Sequence, residues 1–263
     1  MKNLIIGDTS QLSYYFPSDY DRISSRNIDY KSLYDMHFDR VYVCFADQRT
    51  FIQDNEKGFL DINYDYTLEV INFFKGISEK VIVYSTCELW NNIEGAINLE
   101  IPFNYNYSPY IKSKEVMSNY ILSHRNYFSN VIIIYPFNFN SPYRKGGFLF
   151  GKIFDSLINK RKIEIGDTNF YRDLIHPKLI VDRSIKTNKD EIVGSGCLIN
   201  VNKFIRDLYK EMEMEYDDFV TENISNNLIV KRKEYYYDTK NKYSYETLLK
   251  ETINDIKQWK KKE

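Results

Sequence analysis

The runs Lys80-Val-Ile-Val-Tyr84 and Val131-Ile-Ile-Ile-Tyr135 decide the fold of this chain. Consecutive apolar residues make a strand apolar on both faces, which is what a parallel sheet covered by helices on both sides requires. Shorter runs at 4–6, 22–25 and 40–45 extend the series, and helical patterns at 64–77 and 110–122 supply crossover connections. The sequence therefore predicts an α/β fold with a doubly wound parallel sheet.

The pattern changes after Pro136. A helical pattern covers 148–158, and residues 198–209 indicate a short strand, a helix cap and a helix. We predict a main sheet domain over residues 1–140. Residues 141–263 are predicted to form a smaller, interleaved part with C-terminal helices.

Composition narrows the classes of partner and compartment. The 263 residues include 36 basic and 37 acidic side chains, so no charge excess points to nucleic acid. No apolar run approaches the ~18 residues of a membrane span, and the start of the chain lacks a secretion signal. Cys44, Cys87 and Cys197 lie in or beside apolar runs without paired spacing, which favours buried thiols over disulfides or zinc. We expect a cytoplasmic protein without a membrane, nucleic-acid or metal partner.

An acid/base pair stands in the stretch Ser108-Pro-Tyr-Ile-Lys-Ser-Lys114. Tyr110 and Lys114 are four residues apart, so a helix places them on the same face. A lysine ammonium beside a phenol favours the phenolate, which makes the tyrosine able to exchange a proton. Thr86 follows the apolar run that ends at Tyr84, and ligands of open parallel sheets bind at the carboxyl ends of strands. A threonine hydroxyl there and Tyr110 can meet over one substrate oxygen.

Two segments suggest how a dinucleotide would bind. Gly7-Asp-Thr-Ser-Gln-Leu-Ser13 follows a strand and is predicted to open a brief helix, the context in which backbone N–H groups bind a pyrophosphate. Ser10 and Ser13 stand where a G-x-x-G-x-x-G spacing has its second and third glycines, which weakens close backbone approach. Ser25 and Arg26 follow the second strand with no acid immediately after it, so an arginine could hold the 2′-phosphate of NADP.

These motifs occur in the order and spacing of a known family, which the chain resembles over residues 1 to about 212. It is similar to the extended short-chain dehydrogenase/reductases, in the branch of nucleotide-sugar epimerases, 4,6-dehydratases and ketoreductases. The segments that carry the resemblance are Gly7…Ser13, Ser85-Thr-Cys-Glu-Leu-Trp90, Ser108-Pro-Tyr-Ile-Lys-Ser-Lys114, Tyr135-Pro-Phe-Asn138, Tyr171-Arg-Asp-Leu-Ile-His176 and Val193-Gly-Ser-Gly196.

The resemblance implies a Rossmann-like domain, a nicotinamide cofactor, a nucleotide-diphosphate sugar as substrate and a homodimer. It implies that Tyr110 exchanges the proton, that Lys114 favours its phenolate and holds the nicotinamide ribose, and that Thr86 binds the reacting sugar oxygen. The implied cofactor residues are Gly7, Ser10, Gln11, Leu12, Ser25, Arg26, Phe45, Ala46, Tyr110, Lys114 and Pro136. The implied substrate residues are Thr86, Glu88, Asn138, Phe148, Leu149, Lys152 and Arg172.

Departures from the family pattern bear on the reaction. The corresponding segment of 4,6-dehydratases resembles Ser-Thr-Asp-Glu-Val-Tyr-Gly, whereas this chain has Cys87 for the aspartate, keeps Glu88 and has Asn91 for the glycine. A thiol is a poor acid for expelling hydroxide, so dehydration is disfavoured. The predicted activity is reduction of a C4 keto group, with NADP(H) favoured over NAD(H). The serines at positions 10 and 13 suit a cofactor that is released after each turnover. A 4-epimerase or dehydratase-like enzyme, and a non-catalytic binding or scaffold protein, stay open as alternatives.

Overall fold

A computed structural model describes residues 2–49, 52, 54–144, 147–223 and 233–259 of the chain. The strands are β1 (Asn3–Ile6), β2 (Asp21–Ile23), β3 (Phe38–Val43), β4 (Ser78–Tyr84), β5 (Gly95–Ile97), β6 (Val131–Pro136), β7 (Asn138–Phe139), β8 (Ile163–Ile165), β9 (Tyr171–Arg172), β10 (Leu174–Ile175), β11 (Glu191–Val193), β12 (Ile199–Asn200), β13 (Val220–Glu222) and β14 (Tyr235–Tyr237). The α-helices are α1 (Tyr30–Leu33), α2 (Glu56–Leu60), α3 (Thr67–Phe74), α4 (Pro109–Ser123), α5 (Leu149–Asn159), α6 (Pro177–Lys186), α7 (Val201–Glu211), α8 (Tyr216–Phe219) and α9 (Tyr245–Trp259). A π-helical segment, Asp61–Tyr66, joins α2 to α3, and 3-10 turns cover Ser13–Tyr15 and Cys87–Trp90.

The main sheet has six parallel strands in the order β11-β6-β4-β3-β1-β2. The chain runs from β1 outward to β2 and then crosses back to β3, so the strand order reverses between β1 and β3. In open α/β sheets a crevice forms outside the carboxyl ends of the strands at such a reversal. The predicted doubly wound α/β fold is confirmed.

The apolar runs of the sequence form the centre of this sheet. Val81, Ile82 and Val83 of β4 pair with residues 131–133 of β6, and all six of these side chains are buried. Every residue of β6 is buried, as a strand covered on both faces must be. The edge strand β2 is shorter than the predicted run at 22–25, and exposed residues occupy two of its three positions.

The first crossover, where a brief helix was predicted, contains a single 3-10 turn and no α-helix. The turn has only three residues and no side-chain cap. The Ser13 hydroxyl donates to the carbonyl oxygens of Asp8 at 2.6 Å and Ser10 at 2.7 Å, so the preceding loop is bonded to itself. With Pro17 soon afterwards, no α-helical hydrogen-bond ladder develops.

Arg22 of β2 supplies donors to this crossover, where helical N–H groups are missing. Its guanidinium donates to the carbonyl oxygens of Tyr20 at 2.8 Å, Pro17 at 2.9 Å and Phe16 at 3.1 Å. The bond to Phe16 is partly buried, the other two are exposed, and charged donors make stronger bonds than neutral donors. Arg22 therefore fixes the path of the chain between β1 and β2.

We expect the substitution Arg22→Met to lower the free energy of unfolding by about 1–3 kcal/mol, since several charge-assisted hydrogen bonds are lost together. Urea unfolding of the purified variant measures the change. Arg161→Met is the matched control, because Arg161 is exposed and has a distant 3.6 Å ion pair with Asp155. Equal stability of the two variants would show that Arg22 does not hold the crossover.

The chain divides into two compact units. The first comprises Met1–Asn91, Leu99–Pro136 and Ile180–Val193 and contains the main sheet; the second comprises Asn92–Asn98, Phe137–Leu179 and Gly194–Glu263. The two units interleave along the sequence, because β11 returns to pair with β6 and β5 leaves to pair with β14.

The second unit has its own core and four two-stranded sheets. Its buried apolar side chains come mainly from α5, α7 and α9, with Phe154, Leu157, Ile205, Leu208 and Ile256 among the most buried. A buried carboxylate, Asp173, accepts hydrogen bonds from the backbone N–H groups of Ser195, Gly196 and Tyr237. Burial raises the pKa of Asp173, and these three donors oppose that effect.

No helix among the described residues is long and apolar enough to cross a bilayer.

Candidate active site

Helix α4 carries two of the three candidate catalytic side chains. It begins at a clear N-terminal signal: the Ser108 hydroxyl oxygen accepts from the N–H of Ile111 at 3.2 Å, and Pro109 occupies the first turn. Tyr110 and Lys114 are both buried on the inward face, with exposed fractions of 8% and 3%. The sequence places them one turn apart, and the cap fixes the register of that turn.

Lys114 is a buried ammonium directed at the end of strand β4. Its Nζ atom donates to the Tyr84 carbonyl oxygen at 2.8 Å. Burial lowers the pKa of Lys114 from its ordinary value of 10.5 to about 8, because a charge is costly to remove from water. At neutral pH the group is still mainly cationic, so it supplies a positive charge inside the site.

The end of β4 is joined to α4 by serine hydroxyl groups. The Ser85 and Ser118 hydroxyl oxygens are 2.8 Å apart, and Ser118 also donates to the Lys114 carbonyl oxygen at 2.8 Å. All three residues are buried. These bonds hold the strand end that precedes Thr86 against the helix that carries Tyr110.

Thr86 begins the 3-10 turn Cys87–Trp90. Its Oγ1 atom accepts from the N–H of Glu88 at 3.2 Å, which is a capping bond. That bond uses an oxygen lone pair and leaves the hydroxyl proton for donation. The structure thus brings Thr86 and Lys114 to the same strand end, with Tyr110 one turn earlier on α4.

Tyr110 is held from two sides. Its ring meets that of Phe59, from α2, edge to face at a centroid distance of 6.2 Å. Its carbonyl oxygen accepts from the Ser113 hydroxyl at 2.7 Å. An aromatic wall and a bonded backbone restrict the directions that the phenol can take.

Asn63, in the π-helical segment, is a site residue that the sequence analysis missed. It is fully buried, its Oδ1 accepts from the N–H of Asp47, and its Nδ2 donates to the Asp47 carbonyl and, at 3.0 Å, to the Ser113 hydroxyl. Asn63 therefore links the loop after β3 to the helix that carries Tyr110. The available signal was a lone amide on the inward face of a helical pattern, at a π-helical distortion of the kind frequent at functional sites.

The crevice between β1 and β3 contains Gly7 and Phe45. Gly7 has φ +100°, and a Cβ atom there would lie 3.0 Å from the Phe45 backbone nitrogen. Only glycine tolerates both the conformation and the close approach. Phe45 and Ala46, both predicted cofactor residues, are partly exposed at this edge.

Other predicted cofactor residues have mixed surroundings. The side chain of Leu12 is buried, while Ser10 and Gln11 are partly exposed in the loop. The three-residue turn that follows provides no α-helix N-terminus for a pyrophosphate, so the loop alone would contact it. Arg26, after β2, is exposed, and the carbonyl oxygen of its neighbour Ser25 accepts from the Tyr66 hydroxyl group. Pro136 is buried at the end of β6.

The predicted substrate residues divide between the two units. Thr86 and Glu88 belong to the first unit, and Asn138, Phe148, Leu149, Lys152 and Arg172 belong to the second. Within the second unit, the guanidinium of Arg144 lies 3.9 Å from the centroid of the Phe148 ring, and Arg172 lies 4.8 Å from that of Phe170. Asn138 is in β7 and Leu149 begins α5.

An open groove of about 330 Å³ in the second unit is lined by Lys152, Glu164, Ile165, Gly166 and Asn223. Lys152 donates to the Glu164 carbonyl oxygen at 3.2 Å across this groove. A predicted substrate residue therefore lies on a concave, polar surface.

The cysteines are free thiols, with Cys44 and Cys87 buried and Cys197 partly exposed. Burial raises the pKa of the Cys44 thiol, which keeps it protonated and unreactive. Within the described parts of the chain, no group of three or more potential metal ligands comes together.

Comparison with known proteins places the fold. No family model matches the chain, and no curated protein matches it by sequence. Solved structures match over nearly the whole length. RMD from Pseudomonas aeruginosa, complexed with NADPH, is 15% identical with a TM-score of 0.78, over 99% of this chain and 100% of that chain.

Two epimerases are similar to the same extent. UDP-glucose 4-epimerase from Thermotoga maritima, solved with UDP-glucose, is 16% identical with a TM-score of 0.77, over 98% of this chain and 99% of its own. ADP-L-glycero-D-manno-heptose-6-epimerase from Helicobacter pylori is 16% identical with a TM-score of 0.75, over 97% and 96%. At these identities the likeness establishes the fold alone, and that fold is the one that the resemblance to extended short-chain dehydrogenase/reductases implies.

Proposed function

We propose that this chain is an NAD(P)-dependent oxidoreductase of the extended short-chain dehydrogenase/reductase type that reduces the C4 keto group of a nucleotide-activated sugar. The observation that carries the proposal is the buried Lys114 ammonium, 2.8 Å from the Tyr84 carbonyl oxygen, on the helix that also presents Tyr110. Removing an ammonium group from water lowers the free energy of unfolding. Groups with such strongly shifted pKa values are frequent at functional sites.

The residues divide the chemical work. Thr86 donates its hydroxyl proton to the sugar carbonyl oxygen and orients it. Tyr110 gives its proton to that oxygen as negative charge develops there, and Lys114 stabilises the resulting phenolate. Asn63 and Ser113 hold the backbone of the first turn of α4 while this occurs.

A nicotinamide cofactor, when bound, supplies the hydride that the sugar carbon accepts. Gly7, Phe45 and Ala46, which follow β1 and β3 where the strand order reverses, are the residues proposed to border it. Lys114 would hold the nicotinamide ribose. The absence of an α-helix after the Gly7 loop favours a cofactor that is released after each turnover over one that stays bound.

Arg26 is proposed to select NADP(H). Its exposed guanidinium follows β2, without an acidic residue among the neighbours in sequence from Ser24 to Ile28. We expect Arg26→Ala to weaken NADPH binding about tenfold and NADH binding less than twofold, since a bidentate phosphate contact is lost only for NADPH. Fluorescence titration with both cofactors measures the two affinities. An equal loss for both would remove Arg26 from the phosphate site.

The reaction is tested by following NADPH absorbance with a panel of 4-keto nucleotide sugars. Net consumption supports the reductase. The neighbouring 4-epimerase structures favour a second candidate, a 4-epimerase, which would retain NAD(H) through purification and show no net consumption. Neither bound cofactor nor consumption would support the scaffold alternative. The proposed cytoplasmic location and homodimer are tested by fractionation and by light scattering of the purified chain.

A further inference from the structure

Glu88 is the one side chain of its turn that reaches solvent. Cys87, Leu89 and Trp90 of the same 3-10 turn are buried, and Asn91, which ends it, is also buried. Glu88 is partly exposed and its N–H is bonded to the Thr86 hydroxyl oxygen at 3.2 Å. Glu88 therefore carries the carboxyl group of the turn that follows Thr86, at the carboxyl end of β4, where open parallel sheets bind ligands.

The amide of Asn91 fixes the orientation of that carboxyl group. Asn91 Oδ1 accepts from the backbone N–H of Asn106 at 2.7 Å, and a backbone N–H can only donate. The amide cannot be turned around without losing this bond, so its Nδ2 must face Glu88, to whose Oε2 it donates at 3.1 Å. This bond fixes the direction in which the Glu88 carboxyl group points.

The loop that supplies Asn106 is itself held in place. Trp90 Nε1 donates to the Ile101 carbonyl oxygen at 2.8 Å, and the N–H of Asn104 donates to the Leu89 carbonyl oxygen at 2.8 Å. The Phe103 ring meets that of Trp90 edge to face at 5.0 Å. Asn106 is therefore a fixed reference point for the Asn91 amide.

We infer that Asn91 is a positioning residue that holds the carboxyl group of Glu88 in one direction, and that Glu88 selects neutral sugars over sugars that carry a carboxylate. This inference rests on the proposed function. A sugar hydroxyl can donate to Glu88, whereas the carboxylate of a uronic acid is repelled by it. Two unit charges about 6 Å apart at an effective dielectric of about 20 interact strongly enough to change affinity by about 10-fold to 100-fold.

The test is calorimetric binding of matched ligands that differ only in a hydroxymethyl or a carboxylate group. UDP-glucose is compared with UDP-glucuronic acid, and GDP-mannose with GDP-mannuronic acid. We expect the wild type to bind the neutral member of a pair at least about tenfold more tightly. In Glu88→Gln, which preserves the shape and the bond from Asn91, the ratio should fall to within about threefold.

The variant Asn91→Leu isolates the positioning role. It should reduce the ratio nearly as far as Glu88→Gln, and the double variant should reduce it no further. Asn119→Leu is the matched control, because Asn119 makes a similar amide bond to Glu115 at 3.2 Å on the exposed face of α4. Circular dichroism verifies that each variant is folded.

The outcomes separate the two proposals. Binding of a nucleotide sugar with an unchanged ratio in Glu88→Gln would overturn the selection by Glu88 and leave the proposed function standing. An equal loss for both ligands in Asn91→Leu would make Asn91 merely structural. No binding of any of the four ligands, with or without NADPH, would defeat the nucleotide-sugar proposal and this inference with it.

Discussion

Replacement of Tyr110 with phenylalanine should lower turnover about 100-fold or more while the affinity for NADPH changes less than about twofold. The substitution removes one oxygen atom and with it the proton that the developing alkoxide needs, which is a general-acid contribution of this size. The ring that remains keeps the same shape against Phe59, so the fold and the cofactor crevice should be retained. Steady-state kinetics with the keto sugar identified from the panel, together with cofactor titration, measures both quantities.

Tyr120→Phe is the control for this experiment, because Tyr120 lies on the same helix with its side chain exposed. It should retain wild-type turnover. A loss of less than about tenfold in the Tyr110 variant would assign the proton transfer to another group.

Replacement of Lys114 with methionine should have opposite effects on activity and stability. Turnover should fall at least about 100-fold, since the cation that stabilises the phenolate is lost. The folded protein should become more stable at pH 7 by about 1–2 kcal/mol. A pKa lowered from 10.5 to about 8 by burial corresponds to a penalty of about 3 kcal/mol, of which the lost hydrogen bond to Tyr84 offsets about 1 kcal/mol.

The pH dependence gives this prediction a second readout. Between pH 8 and pH 10.5 the unfolded chain binds a proton at this lysine that the folded chain has released. The stability of the wild type should therefore rise with pH across that window relative to the variant, and the gap should be widest below pH 8. Urea unfolding at several pH values measures it. Lys112→Met, a change at a partly exposed ion pair with Glu115, should show neither effect.

An increased stability with unchanged turnover would show that Lys114 is a buried charge without a part in the reaction. A decreased stability at pH 7 would show that its contacts outweigh its desolvation. The two readouts are independent, so a catalytic role and an energetic cost are each tested separately.

Local sequence determines much of the proposed site. The Ser108-Pro109 signal begins α4 one residue before Tyr110, and the four-residue spacing then places Lys114 on the same face. The apolar runs at β4 and β6 settle the centre of the sheet, because strands without a polar face can only be buried. Thr86 follows the apolar run that ends at Tyr84, so the sequence also predicts that it lies at the end of a strand.

Contacts between distant residues decide the other features. Asn63 meets Asp47 and Ser113, and Asn91 meets Asn106, through hydrogen bonds that no local pattern encodes. The sequence predicted a brief helix after Gly7, and the structure has a three-residue 3-10 turn there. The carbonyl groups that follow it accept from Arg22 on the next strand, a contact that the sequence did not predict. A side chain that satisfies a remote carbonyl leaves no periodic signal in sequence.

The sequence by itself determined the class of the fold, the positions of the buried strands and the spacing of Tyr110 and Lys114, because these follow from apolar periodicity and helix geometry. Only the tertiary structure decided that Lys114 is desolvated against the Tyr84 carbonyl, that Asn91 holds Glu88, and that β5 and β11 interleave the two units. Those features depend on which groups are excluded from water together, and that is fixed only when distant segments pack.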